Sequence, residues 1–364
     1  PPYAGRTLQG RSVQGRSVQG NGPAEPQALG TVVSSGRLQK GIGLCAIATL
    51  LVAIHTLLVG AISRGGTLAG LAFAGFDSIT FLNASALLWL RLIVLMPLLW
   101  LIAPQLHRGV LSDRNQWRRR PSRRTRLMLS GVGLFFSQVL LYQAVGSLGP
   151  AVAVGVLFSY PLLSIPLGWF VQREVPSPLR WVVMAAVLMG AVLVSRPALS
   201  SISEASFSGV SSPGVGLTAA VLAAVAFALY VTAMSLPAQR QVHPVSGGLV
   251  QFGTMTILSS LLLVFRPATL TQGITSPGPF VVAGLSLGLI TAVGYARNYT
   301  GLRLIGGNRA AVIAASTPLL TALLSVLLLT AQPELHLIQW TGIALVTIGA
   351  VTLSLDRLGR QPGQ

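Results

Sequence analysis

Acidic residues are nearly missing from this chain: Asp and Glu number 7 against 25 Lys and Arg in 364 residues. None of the seven falls inside a long apolar run, so coupling through buried membrane carboxylates finds no support. Cysteine is scarcer still. Cys45 alone excludes an internal disulfide and any multi-cysteine metal site. Also absent are His-Glu-x-x-His, Cys-x-x-Cys, Gly-x-Ser-x-Gly and a P-loop. Without a P-loop the chain cannot itself be an ATP-driven pump, and no metal or cofactor is expected. Charged residues of both signs reach only 9%, against about a quarter in a typical soluble domain.

Apolar residues fill the space, at 52% with a mean hydropathy of +0.71. One soluble core cannot hide that much apolar surface, so lipid must solvate much of it. A bilayer requires every backbone N–H and C=O to be paired internally, which leaves helices or closed barrels. The apolar runs are roughly 20 residues long and do not alternate, so helices are expected. Ten such runs lie at about 41–62, 84–103, 127–146, 150–171, 179–195, 214–236, 245–265, 279–299, 307–329 and 337–355. Residues 67–82 are mildly apolar with Asp77 inside and read as a loop dipping into the interface. Residues 1–40 are polar and repetitive: Gly10-Arg11-Ser12-Val13-Gln14 recurs as Gly15-Arg16-Ser17-Val18-Gln19. Such composition builds no core and predicts a disordered tail, not a transit peptide. The first apolar run begins only near residue 41, so no secretory signal peptide is expected.

A longer pattern also occurs twice. Ser159-Tyr-Pro-Leu-Leu-Ser164 matches Ser316-Thr-Pro-Leu-Leu-Thr321, and Trp181 with Gly190-Ala-Val matches Trp340 with Gly349-Ala-Val. The chain is therefore a duplication, with a first half at 41–203, a second at 204–356 and a short tail at 357–364. Arginine orients it. With the N-terminus inside, 21 of the 25 basic residues fall on inner segments, eight of them in the 104–126 loop. The outer loops keep only Arg64, Arg196 and Arg266, and Arg91 lies within a span. Five spans per half is an odd number, so the halves have opposite orientation. The loop near Gly146–Pro150 carries no charge, whereas its counterpart near Arg297–Arg309 carries three arginines, as an inverted repeat requires. The expected fold is an all-α integral membrane protein of ten transmembrane helices in two inverted five-helix repeats. Both termini should be cytoplasmic, in the plasma (inner) membrane.

With Arg91 early in span two, Ser/Thr-x-Pro-Leu-Leu in spans four and nine, and closing Gly-Ala-Val motifs, residues 41–355 resemble the EamA-type permeases of the drug/metabolite transporter superfamily. The resemblance implies ten helices in two halves and a transport activity. Glu174 stands where that family commonly has a Glu; in the second half the spacing lands on Pro333, with Glu334 beside it.

The residues themselves nominate a site. Pro161 and Pro318 fall mid-span, where proline removes a hydrogen bond and bends the helix. They are candidate hinges, with Ser159, Ser316 and Thr317 hydroxyls placed to satisfy freed carbonyls. Arg91 lies about seven residues into span two and either marks a pathway or snorkels outward. His55 in span one reads as a neutral interior residue or a proton relay. Gln138 and Tyr142 are four apart on one helical face, and with Tyr160 and Tyr295 they are candidates to line a cavity. Tyr299 and Trp100 read as interface aromatics. The run Arg118, Arg119, Arg120, Arg123 and Arg124 reads as topogenic, held at the anionic inner leaflet, and not as a nucleic-acid site. Gly131-x-Gly133 and Gly214-x-Gly216 read as helix-packing glycines.

The function expected is a secondary transporter, not an enzyme, moving a small metabolite, amino-acid-like compound or toxic solute by alternating access, efflux included. Its cavity would be lined by spans one, three, four, six, eight and nine, and a homodimer is allowed. The alternatives are a polytopic enzyme acting on lipid-linked substrates, or a nucleotide-sugar or lipid translocator on the same fold.

Overall fold

The computed structural model describes residues 35–73, 79–113, 121–173, 175–204, 212–236, 242–267, 277–330 and 334–359. Ten helical segments there are long and apolar enough to cross a membrane. Span one is α1 (Ser35–Arg64), span two α2 (Phe81–Leu106) and span three α3 (Pro121–Leu148). Span four is split into α4 (Pro150–Leu157) and α5 (Pro161–Gln172); span five is α6 (Pro178–Glu204). The second half repeats this with α7 (Pro213–Ser235), α8 (Pro244–Phe265) and α9 (Pro277–Ile305). Then come a split span nine, α10 (Gly307–Ala314) and α11 (Thr317–Leu328), and α12 (Leu337–Gly359). At 1.5 Å per residue each span clears the roughly 30 Å hydrocarbon layer. Large apolar side chains face outward, among them Phe170, Val182 and Leu327, as a lipid-solvated surface demands.

Proline and glycine set the element ends. Pro150, Pro161, Pro213 and Pro244 all open helices, where their missing N–H costs nothing and φ is already helical. Gly149 and Gly306 hold positive φ of 89° and 82° at equivalent places, immediately before the split spans. A side chain would be strained there.

Packing shows the duplication directly. Span one lies along span eight, and span six along span three. Span two packs on eight, seven on three, one on nine and six on four. Spans two and seven, four and nine, and five and ten meet across the centre. Replacing each span by the one five further along maps every one of these pairs onto another pair or onto itself. Since five crossings separate equivalent spans, the two-fold axis lies in the membrane plane and the repeat is inverted. Spans five and ten touch backbone to backbone. A Cβ on Gly190 would sit 2.8 Å from the Gly342 carbonyl oxygen, and one on Gly342 2.7 Å from that of Gly190. The Gly-Ala-Val motif and Gly342 thus serve close helix approach. Gly131 and Gly216 do the same, against α8 and the end of α3.

Two features depart from the sequence expectation. The first helix begins at Ser35, inside the segment read as tail, because extending a formed helix is cheaper than starting one. Residues 1–34, Asp77, Glu174, Pro333 and Arg118 to Arg120 lie outside the described residues; Glu334 is exposed. The start of the 67–82 segment is not a loop. β1 (Gly66–Leu68) and β2 (Leu71–Phe73) form an antiparallel hairpin, with Thr67 opposite Ala72. Gly70 at φ 84° supplies its turn, and Leu68 bridges Leu329 of the second half. The signal, Gly-Gly-Thr-Leu-Ala-Gly, is too short for periodicity to reveal.

Candidate functional site

Inside the bundle lies a cavity of about 460 Å³. Spans one, three, four, six, eight and nine line it, with Arg91 of span two and Ala350, Leu353 and Ser354 of span ten. His55, Gln138, Tyr142, Tyr160, Pro161, Tyr295 and Thr317 are all on its wall. Ser159 and Pro318 are not among the lining residues, although each adjoins one that is.

The polar wall is built around Arg91, which is 6% exposed and does not snorkel. Its Nη1 donates to Gln138 Oε1 at 2.9 Å and to Tyr142 Oη at 2.9 Å. The Tyr142 hydroxyl also lies 2.8 Å from His55 Nε2. Having accepted from Arg91, that oxygen still has its own proton to offer the imidazole. Residues from spans one, two and three thus form one connected network. Span three carries two of its members because Gln138 and Tyr142 stand one turn apart. Arg91 Nε is buried with no partner. In span eight the counterpart Tyr295 donates to the Pro244 carbonyl instead, at 3.1 Å. The halves have therefore diverged in chemistry while keeping the architecture.

Spans four and nine break at the cavity wall. Between α4 and α5 the chain tightens into short-range turns, with Ser159 N–H bonding Val156 O and Tyr160 N–H bonding Leu157 O, both at 3.0 Å. Ser159 Oγ donates to Val156 O at 2.7 Å, and Ser316 Oγ to Ile313 O at 2.7 Å. Thr317 Oγ1 donates to Ala314 O. The hydroxyls therefore take up carbonyls that the interruption loosens, as expected for Ser and Thr beside a mid-span proline. Each span is thus two helical stretches joined by a tightened turn whose residues Phe158, Tyr160, Ala315 and Ser316 keep right-handed helical φ and ψ, and Pro161 is the first residue of the second stretch. Tyr160 packs edge-on to Phe227 of span six at 4.9 Å, tying the break to the other half.

At each end of the bundle, contacts join the two halves. At the hairpin end, Ala69 N–H bonds Leu328 O at 3.0 Å, Thr330 N–H bonds Thr67 O at 3.3 Å, and the Thr67 and Thr330 hydroxyls meet at 2.9 Å. These bonds join the first half to the second. At the opposite end His107 and His243 stack with ring centroids 3.5 Å apart. Asp113 accepts from Ser246 Oγ at 2.7 Å and lies 3.0 Å from His107 Nε2, while Tyr299 Oη meets His243 Nε2 at 2.8 Å. Tyr299 is buried in this cluster, so its reading as an interface aromatic is corrected; Trp100 is exposed. Burial, then the adjoining His107, push His243 below the ordinary histidine range, and Asp113 opposes them. No motif announces this cluster, whose members come from three separate segments.

A duplicated, inverted ten-span bundle enclosing a mid-bundle cavity on two interrupted spans defines a membrane transporter. The chain belongs to the EamA-like transporter family, whose model matches residues 39–196 and 214–355. It is 28% identical over 328 residues to sll1319, an uncharacterized transporter of Synechocystis sp., spanning 89% of this chain and 96% of that protein. It also aligns with a crystal structure of a protein at 22% identity and a TM-score of 0.48, covering 90% of this chain and 99% of the other.

Proposed function

We propose that this chain is a secondary transporter carrying a small organic solute, a metabolite or a toxic compound, by alternating access. The observation that carries the reading is the cavity's position on both interrupted spans, with the Arg91 cluster and scattered hydroxyl and amide groups such as Thr291, Asn298 and Ser354 set in a largely apolar wall. That combination suits a solute with an apolar body and few polar groups. His55, Arg91, Gln138, Tyr142, Tyr160, Tyr295 and Thr317 would contact solute. Ser159 would act from behind by securing the Val156 carbonyl. Pro161 and Pro318 would be the hinges about which the halves rock, opening the hairpin end and the histidine end in turn. The arginine bias supports a plasma-membrane orientation with both termini and the histidine end cytoplasmic. Arg123 and Arg124, on the first turn of α3, would then sit near anionic lipid with the arginines just before them.

The test is counterflow. Proteoliposomes containing the full chain, loaded with an unlabelled metabolite panel, should take up at least one labelled member faster than protein-free vesicles. Chemical conversion of a panel member without flux would replace the transporter reading with an enzymatic one.

A further inference from the structure

Among the described residues lining the cavity, Arg91 is the only fixed charge, and no Asp or Glu accompanies it. A buried cation with neutral neighbours alone is costly, and proteins normally supply it with a carboxylate. Here the oxygens of Gln138 and Tyr142 are its only bonded partners, and both bonds leave from Nη1. A guanidinium has five N–H donors in a planar fork. Nε is buried without a partner and sealed from the cavity, whereas Nη2 makes no hydrogen bond among the described residues and is not sealed in. An Nη2 donor so placed suits a charge-assisted bond to a carboxylate oxygen.

We propose that the cavity is selective for small organic monocarboxylates, with Arg91 taking the carboxylate through Nη2; this rests on the transporter reading above. Tyr142 and Gln138, besides facing the cavity, position Arg91: by occupying Nη1 they fix the guanidinium plane, leaving Nη2 for the ligand. The remainder of the wall decides the rest of the ligand. Val52, Leu157, Phe158, Phe227 and Ile290 offer apolar surface and aromatic faces. A small hydrated inorganic anion gains nothing from them, and a cation finds no counter-charge. A dianion would bring one negative charge more than the wall can meet. The favoured ligand is thus a monoanion with an apolar body.

The experiment uses the purified full chain and two sets of matched probes. One is phenylacetate, phenylacetamide and phenethylamine; the other is isovalerate, isovaleramide and isoamylamine. Binding is read from ligand-dependent thermal stabilisation at fixed ionic strength. In at least one set the carboxylate should bind about tenfold or more tighter than its amide and amine, the scale of a charge-assisted bond. Arg91→Gln should abolish that preference. Arg91→Lys, keeping the charge without the fork, should fall between. In both sets an amide or amine binding as tightly as its carboxylate, no carboxylate binding at all, or an undiminished preference in Arg91→Gln would overturn the proposal. The wild-type ranking decides on its own if both variants fail to fold. Counterflow then separates the two readings. A carboxylate bound through Arg91 but never carried removes the transporter and leaves the site. Amide flux that survives Arg91→Gln removes carboxylate selectivity and leaves the transporter.

Discussion

His243 sits immediately before span seven, stacked on His107 and bonded to Tyr299, with Asp113, Ser246 and Arg303 around the group. Burial first, then the adjoining His107 imidazole, makes the charged form costly, and the folded state therefore favours neutral His243. Its proton affinity is lower folded than unfolded, so the unfolded chain binds more protons as pH falls. The stabilisation is complete above the ordinary histidine value of 6.5 and is lost on acidification below it. Thermal unfolding in detergent should show a midpoint that drops between about pH 7 and 5, and His243→Gln should flatten the drop. A slope unchanged by the substitution would assign the acid sensitivity elsewhere. Nothing in the residues around His243 announced this contact. By contrast, Gln138 and Tyr142 were legible as neighbours because helical spacing alone puts them on one face. That Arg91 and His55 would meet Tyr142 was not legible. Those distances are fixed by how spans one, two and three pack, and one sequence holds no record of it.

At the scale of the element, the paired prolines were readable and their full effect was not. Sequence reasoning supplies a bent helix; the fold supplies two half-helices joined by short-range turns at Phe158–Tyr160 and Ala315–Ser316. The difference arises because Ser159 and Ser316 bond the chain three residues back, which competes with the continuous helix. Pro161→Ala and Pro318→Ala restore a donor and remove the ring that blocks helix continuation. Each variant trims a buried ring, so a modest loss of stability, on the order of 1 kcal/mol, is expected, and flux is compared per folded protein. Counterflow should nevertheless fall several-fold, and the double variant should fall further, because straightened spans move the cavity wall and stiffen the hinge. Unaltered flux in the double variant would show that the interruptions serve packing alone. The hairpin went unread for another reason. Three-residue strands carry too little pattern, and β1 gains its stability from Leu329 and Thr330, far away in sequence.

For the whole molecule, the inverted duplication was the most legible property, because loop charge and repeated motifs record topology even where side-chain contacts leave no trace. The same symmetry has a mechanical consequence. If the halves rock about the central axis, the contacts joining them at the two ends cannot both persist through a cycle. At the hairpin end the closure is a strand-like bridge from Thr67–Ala69 to Leu328–Thr330, with the two threonine hydroxyls 2.9 Å apart. Joining those positions covalently removes the state in which that end is open. The native chain is a suitable background, since its one cysteine, Cys45, is 1% exposed within span one. In the Thr67→Cys/Thr330→Cys variant, oxidation should abolish counterflow, and reduction should restore it to the level of the reduced double variant. Each single variant should be insensitive to oxidant. Binding of solute to the oxidised protein should survive, because the cavity lies beneath the closure and Arg91, Gln138 and Tyr142 are untouched. Undiminished counterflow with the cross-link fully formed would mean that solute does not pass this end by separation of the halves, and the rocking model would have to be abandoned.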